Sequence, residues 1–171
     1  MQLRGWKRLG NGPFPHILLN PDHPDGSHPL WCLPSPLPSL TSMPALEVRP
    51  LKIHDLPALM AVQRAAYGDG FMESTEVFAR RLASPVNCSL ALLADGQLCA
   101  YLAAYHSVQG KVTPLHGDFE PPAGTAPDTL YLHDMAVLPG MAGQGLAQRL
   151  LQPLWEQAAA QGLRQSALVS V

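Results

Sequence analysis

The chain has 171 residues, of which 47% are hydrophobic and only 14% charged, with a formal net charge of −2. That length holds one domain with a tail to spare, and so even a charge balance gives no basic footprint for nucleic acid or an anionic membrane surface. No stretch reaches the ~20 consecutive apolar residues of a membrane span, and Met1 to Gly10 mixes charges with Gly and Trp, unlike the apolar core of a signal peptide.

Residues 1–42 hold eight of the eighteen prolines, as in Pro34-Ser35-Pro36-Leu37-Pro38. Proline fixes φ and removes a backbone donor, so a disordered or loosely extended extension is expected here. Trp6, Phe14 and Trp31 are unusual for a linker. Met43-Pro44 reads as the natural start, with the domain at 43–171; a Pro-rich recognition segment is the alternative for the tail. The three cysteines, Cys32, Cys88 and Cys99, are odd in number. No His, Cys, Asp or Glu set has metal-ligand spacing, so reduced thiols, a cytoplasmic setting and no metal are expected.

From residue 46 the pattern becomes orderly. Leu46-Glu47-Val48-Arg49-Pro50-Leu51 alternates as a strand does. Asp55 offers an N-cap oxygen and Pro57 suits the first turn of a helix that continues through Leu59 and Gln63 and stops near Gly68 and Gly70. Glu73 to Ala83 reads as a second helix, with Val77, Phe78 and Leu82 on one face. Ser89 to Ala94 and Leu98 to Tyr105 read as strands joined by an Asp95-Gly96 hairpin turn. Residues 110–129 form a Gly/Pro-rich connection, long for neighbouring strands. Leu130 to Leu138 is the next strand, Gly145 to Gln161 a helix, and Ser166 to Val171 a last strand. The order β-α-α-β-β-β-α-β ends in a strand–helix–strand crossover, whose strands are parallel. Pro153 costs about 3 kcal/mol inside a helix. A kink near Arg149 is expected rather than a break, because Leu146, Leu150, Leu151, Leu154, Trp155 and Ala158 keep an apolar face.

The informative run is Leu130-Tyr131-Leu132-His133-Asp134-Met135-Ala136-Val137-Leu138-Pro139, followed by Gly140-Met141-Ala142-Gly143-Gln144-Gly145-Leu146-Ala147. A strand leads through small residues into a helix whose first N–H groups and positive dipole end make an anion site. Glycine lets the backbone approach phosphate oxygens. A P-loop needs Lys and Ser/Thr where Leu146 and Ala147 stand, and a dinucleotide fingerprint needs a third glycine where Gln148 stands. Both fail.

Val137-x-Pro139 with Gly143-x-Gly145-x-Ala147 and an apolar helix resembles the acetyl-CoA motif of GNAT N-acetyltransferases. Val48-Arg49-Pro50 followed by His54-Asp55-Leu56 is similar to that family's first strand and helix entry, and the resemblance spans residues 46–171. It implies an α/β fold with a GNAT acyl-CoA N-acyltransferase-like mixed sheet, and acetyl-CoA as cosubstrate. The family continues past the position of Val171 with a further helix and two strands. With these missing, an exposed sheet edge and little turnover are expected of the chain as it stands. The backbone of Met135, Ala136 and Val137 would pair with pantetheine amides, and an N–H near Ala136 or Val137 would stabilise the oxyanion. The N–H groups of Ala142, Gly143, Gln144, Gly145, Leu146 and Ala147 would hold the pyrophosphate. Ala142 stands where the family usually has Arg or Gln, which leaves that task to the backbone.

Direct transfer needs a neutral amine, hence a base. Strict alternation puts Tyr131, His133, Met135 and Val137 on one face and Leu132, Asp134 and Ala136 on the other. The resemblance makes Tyr131 and His133 acceptor-facing, and histidine titrates in the right range for a base; an inert, structural His133 is the alternative. Asp134 reads as structural. Acceptor recognition is implied for Tyr67, Phe71 and Glu73, against the alternatives of Phe71 in the core and Glu73 as a helix cap. His116, Asp118 and Glu120 could attract a cationic amine or be solvated loop charges. The reading is an N-acetyltransferase acting on a small-molecule or peptide amine. A noncatalytic acyl-CoA-binding or partner-binding fragment of the same fold is the runner-up, followed by a ligand-free structural domain.

Overall fold

The alternating segment Leu46–Pro50 forms β1, which pairs antiparallel with β2, Leu90–Ala94. In the computed structural model, residues 44–117 and 119–169 are described, so the Pro-rich extension and Cys32 lie outside the described residues. These residues belong to one compact unit, Ser42–Val171. β2 turns directly into β3, Gln97–Ser107, through Asp95-Gly96. Both turn residues have positive φ, 49° and 79°, which a two-residue hairpin demands and Asp-Gly supplies with little strain. Asp95 also exchanges hydrogen bonds with Ala45, donating its N–H at 3.0 Å and accepting on Oδ1 at 2.9 Å. The turn is thereby stitched to the start of β1.

β3 pairs antiparallel with β4, Thr129–Val137, and β4 pairs parallel with β5, Gln165–Leu168. The spatial order β1-β2-β3-β4-β5 follows the chain. The one parallel pair arises from the crossover through α3, Leu146–Ala160. α3 runs unbroken through Pro153, which lies on its exposed side, where the carbonyl left without a donor has access to water.

The period-two pattern of the strands sorts the core. Ala91, Leu93, Tyr101, Ala103 and Ala136 face α1, Leu56–Tyr67, and α2, Thr75–Ala83, packing against Leu56, Leu59, Val62 and Phe78. Leu92, Leu102, Ala104 and Leu130 face α3 and meet Leu146, Leu150, Leu154 and Ala158. Each helix contributes one apolar stripe, so the sheet is covered on both faces.

Two helix starts differ from expectation. α2 begins at Thr75, and Ser74 caps it by accepting the Val77 N–H at 3.4 Å, while Glu73 turns inward. Asp55 holds the N-cap position of α1, but a 3-10 turn over Ile53–Asp55 already gives it helical dihedrals. A capping side chain works from extended backbone, so Asp55 does not cap α1 and instead closes the 3-10 turn by accepting the N–H of its N-cap residue, Lys52. Its carboxylate accepts Arg49 Nη1 and Nη2 at 2.7 and 2.8 Å and the Lys52 N–H at 2.8 Å. Asp55→Ala is expected to cost about 1–3 kcal/mol, the usual effect of stranding such donors, measured as a urea midpoint. The Arg49 hydrogen bonds hold the Asp55 carboxyl below its usual range. That contribution is full above the unfolded carboxylate value and is lost as pH falls through the folded one, so the variant's stability should fall less on acidification.

Among the described residues, no helix is long and apolar enough to cross a membrane. Cys88 and Cys99 are unpaired thiols, and burial pushes Cys88 up to about 12.

Candidate active site

The register between β3 and β4 is interrupted once. Ala103 pairs with Asp134 and Ala104 with Leu132, which leaves His133 as an extra residue, a β-bulge. Every later residue of β4 is thereby moved one place. Tyr131 before the bulge, and Asp134 and Ala136 after it, face the α1 and α2 side, whereas Leu132, Met135 and Val137 pack toward α3. Strict alternation is therefore wrong for this strand. Asp134 shares the face of Tyr131, and Met135 and Val137 leave it.

Pairing between β4 and β5 stops at Leu132 and Leu168. Among the described residues, β4 from His133 to Val137 has no strand on its far side. Part of that edge already has a partner, because the Met135 carbonyl accepts the Tyr67 hydroxyl at 2.6 Å.

A cavity of about 690 Å³ lies beside the bulge. Tyr67 at the end of α1, with Phe71 and Glu73 from the segment between α1 and α2, meets Tyr131, His133 and Asp134 of β4 along its wall. The sequence candidates on the acceptor side are thus brought together from positions some sixty residues apart. Phe71 is not a core residue, being 55% exposed at the cavity.

Glu73 is 1% exposed. Its carboxylate is ion-paired with Arg81, lies 2.9 Å from His133 Nε2 and accepts the His116 N–H at 2.8 Å. Burial pushes this carboxyl up, but the bonds from His133, Arg81 and the His116 amide outweigh it and hold it at about 2. Arg81 is equally buried, with its guanidinium carbon 6.0, 5.7 and 5.9 Å from the ring centres of Phe78, Tyr105 and Phe119. Aromatic faces replace part of its lost hydration, since its Nε and Nη2 have no hydrogen-bond partner. The His133 ring is tilted against Tyr105 and Tyr131, at 5.7 and 6.2 Å between centres. Tyr131 is 2% exposed and its hydroxyl accepts the Thr113 N–H at 3.3 Å. The imidazole is held by a carboxylate at its end and rings at its sides.

Asp134 forms a second polar set. Oδ1 accepts the Tyr67 hydroxyl at 2.8 Å, and Oδ2 accepts the Tyr101 hydroxyl and, at 3.4 Å, Gln63 Nε2. All three donors are neutral. Burial, reinforced by the charge of Asp134, raises Tyr67 and Tyr101 above the ordinary phenol range, so both hydroxyls stay protonated. The single proton of Tyr67 is shared between Asp134 and the Met135 carbonyl.

Sequence reasoning missed Arg81, Gln63 and Tyr101. Arg81 alone carried a signal: it lies four residues after Val77 and three after Phe78, within the apolar stripe of α2. Among the described loop candidates, neither His116 nor Glu120 lines the cavity. The His116 amide goes to Glu73, Glu120 accepts the Ser84 hydroxyl at 2.8 Å, and Asp118 lies outside the described residues. His54 is exposed and His106 half-buried. Among the described residues, no group of three or more His, Cys, Asp or Glu is gathered for a metal ion.

Past β4 the chain makes a 3-10 turn over Pro139–Met141 and enters α3 through Gly143 and Gly145, with φ of 78° and 73°. A Cβ on either glycine would meet nothing within 4 Å, so the left-handed backbone, not crowding, asks for glycine. Gly145 is the N-cap and has no side chain to satisfy the first turn. The N–H groups of Leu146, Ala147 and Gln148 have no intrahelical acceptor. Ala142 to Gly145 are exposed, so this helix start is open to an anion.

Residues 56–171 match the acetyltransferase (GNAT) family. No curated protein sequence matches the chain significantly. Similar solved structures include the ribosomal-protein-S18-alanine N-acetyltransferase from Escherichia coli, at 21% identity over 72% of this chain and 66% of that one, with a TM-score of 0.56. The aminoglycoside 6'-N-acetyltransferase AAC(6')-Ih from Acinetobacter baumannii is 19% identical over 74% of this chain and 80% of its own, with a TM-score of 0.55. A GNAT family acetyltransferase from Brucella melitensis, in complex with acetyl-CoA, is 20% identical over 74% and 77%, with a TM-score of 0.55. At such identities the likeness is one of fold.

Proposed function

The chain belongs to the acetyltransferase (GNAT) family, and on that footing we propose that it moves the acetyl group of acetyl-CoA to the nitrogen of an amine. The observation that carries this reading is the place of His133, bulged out of β4 beside the cavity, with Nε2 on the buried Glu73, where β4 parts from β5. The coenzyme's pyrophosphate would lie on the N–H groups between Ala142 and Ala147. Its pantetheine arm would run along the open edge of Met135, Ala136 and Val137.

The amine arrives from the cavity side as an ammonium. With Nε2 committed to Glu73, Nδ1 is the ring nitrogen left to take its first proton. Glu73 stabilises the charge the ring then gains, and Arg81 keeps Glu73 ionised. The freed lone pair attacks the thioester carbonyl carbon, so a C–N bond forms as the C–S bond breaks. The second nitrogen proton ends on the sulfur and the first returns to solvent, giving an N-acetylated amine and free coenzyme A thiol. Tyr131 acts by fixing the imidazole, its own hydroxyl being held by Thr113. The unpaired Cys88 and Cys99 support a reducing, cytoplasmic setting.

Gly145→Glu tests the phosphate loop. It forces a side chain into left-handed backbone and sets a carboxylate where phosphate oxygens would lie, so coenzyme A affinity by calorimetry should fall about tenfold or more. Equal binding by both proteins would overturn the loop's role. Coenzyme A binding with no thiol release for any amine would favour the noncatalytic acyl-CoA-binding reading.

A further inference from the structure

Eight large apolar side chains are exposed among the described residues, and five of them, Tyr67, Phe71, Val112, Leu115 and Val169, line the one cavity beside His133. Scattered exposed apolar residues need no explanation, whereas a concave cluster of them marks a ligand wall. The charge on that wall is equally uneven. It carries two carboxylates, Glu73 and Asp134. Glu73 is neutralised by Arg81. Asp69, in the same segment between α1 and α2, is paired with Arg64 at 3.2 Å. Among the described residues, Asp134 alone faces the cavity with a charge that only neutral donors touch. Those three donors take three of the roughly four lone-pair sites of a carboxylate, which leaves one for an ammonium N–H.

We propose that the acceptor is a small monoamine carried on an aromatic or branched-alkyl body. Its ammonium rests on Asp134, next to His133, and its body lies against Phe71, Val112 and Leu115. A polycationic polyol or polyamine fits poorly, because each further ammonium would lose hydration against an apolar wall with no partner. This rests on the acetyl-transfer reading, and it goes further by fixing the class of acceptor.

The test uses the full chain with 2-phenylethylamine, the neutral 2-phenylethanol and spermidine. Calorimetry reads binding, and thiol release from acetyl-CoA reads transfer. 2-Phenylethylamine should bind about tenfold or more tighter than either comparator, since one lacks the charge and the other the apolar body. Asp134→Asn should weaken it by about 10- to 100-fold, the scale of a charge-assisted hydrogen bond. Leu115→Glu, on an exposed loop outside the polar set, should weaken it too and narrow the gap to spermidine. Tighter binding of spermidine, no binding of 2-phenylethylamine, or unchanged affinity in a folded Asp134→Asn would overturn the proposal. Transfer to spermidine alone would defeat this acceptor class and leave acetyl transfer standing. The expected binding preference without thiol release for any amine would defeat acetyl transfer and leave the amine site.

Discussion

Arg81→Met is expected to cost about 3–5 kcal/mol, the scale for removing one partner of a buried ion pair. Methionine fills much of the same volume beside Phe78, Tyr105 and Phe119, so the loss is chiefly the charge left behind. Glu73 would then be a carboxylate at 1% exposure without its permanent cation, left with only His133 and the His116 amide beside it. The double variant Arg81→Met with Glu73→Gln should recover part of the loss, because the unpaired charge rather than the missing pair is what destabilises. A melt or urea titration of the three proteins gives the cycle. A loss below about 1 kcal/mol in the single variant, within the range of a surface pair, would mean that the pair is hydrated in solution.

The same group sets an acid limit. The folded Glu73 carboxyl is held at about 2 against an ordinary 4.5. A depressed carboxyl stabilises fully above its unfolded value, and that share is lost as pH falls through the folded one. Wild-type stability should therefore decline between about pH 4.5 and 2, and the double variant should show a shallower decline over that window.

Local chemistry made most of the fold legible from the sequence. Asp95-Gly96 names its own turn type, the glycines before α3 name a left-handed helix entry, and Leu146, Leu150 and Leu154 keep their stripe despite Pro153. The errors fall where a side chain had a distant choice. Asp55 has the composition of a cap, but Arg49 six residues earlier offers two charged donors. Glu73 looks like the first residue of α2, yet its charge is worth more inside, between Arg81 and His133, than at a solvated helix start where Ser74 already serves. The largest error concerned Asp134. A bulge leaves no mark on hydrophobic periodicity in a strand covered on both faces, since Leu132, Met135 and Val137 read as apolar under either register. Only pairing with β3 reveals that Asp134 turns to the side of Tyr131, where Tyr67 and Tyr101 wait for it.

His133→Ala is expected to lower the rate of thiol release from acetyl-CoA by about 10²- to 10⁴-fold in the presence of an accepted amine, the range for removing a general base. Coenzyme A affinity should hardly change, because the helix start that would hold it begins ten residues away at Gly143. Added imidazole should restore part of the lost rate, since the cavity left by the ring opens beside Glu73 and can admit the free base. Glu73→Gln should act through His133 instead of on the substrate. It would change kcat and its pH profile more than KM, and imidazole would not rescue it, because the ring is still present and only its orienting charge is gone. Arg81 would then stand buried without its partner, so the comparison is made below the variant's melting temperature. An unchanged rate in His133→Ala would leave water as the proton acceptor and the bulge as a device for parting β4 from β5. A Glu73→Gln variant with raised KM and unaltered kcat would place that carboxylate against the amine itself, contrary to its burial.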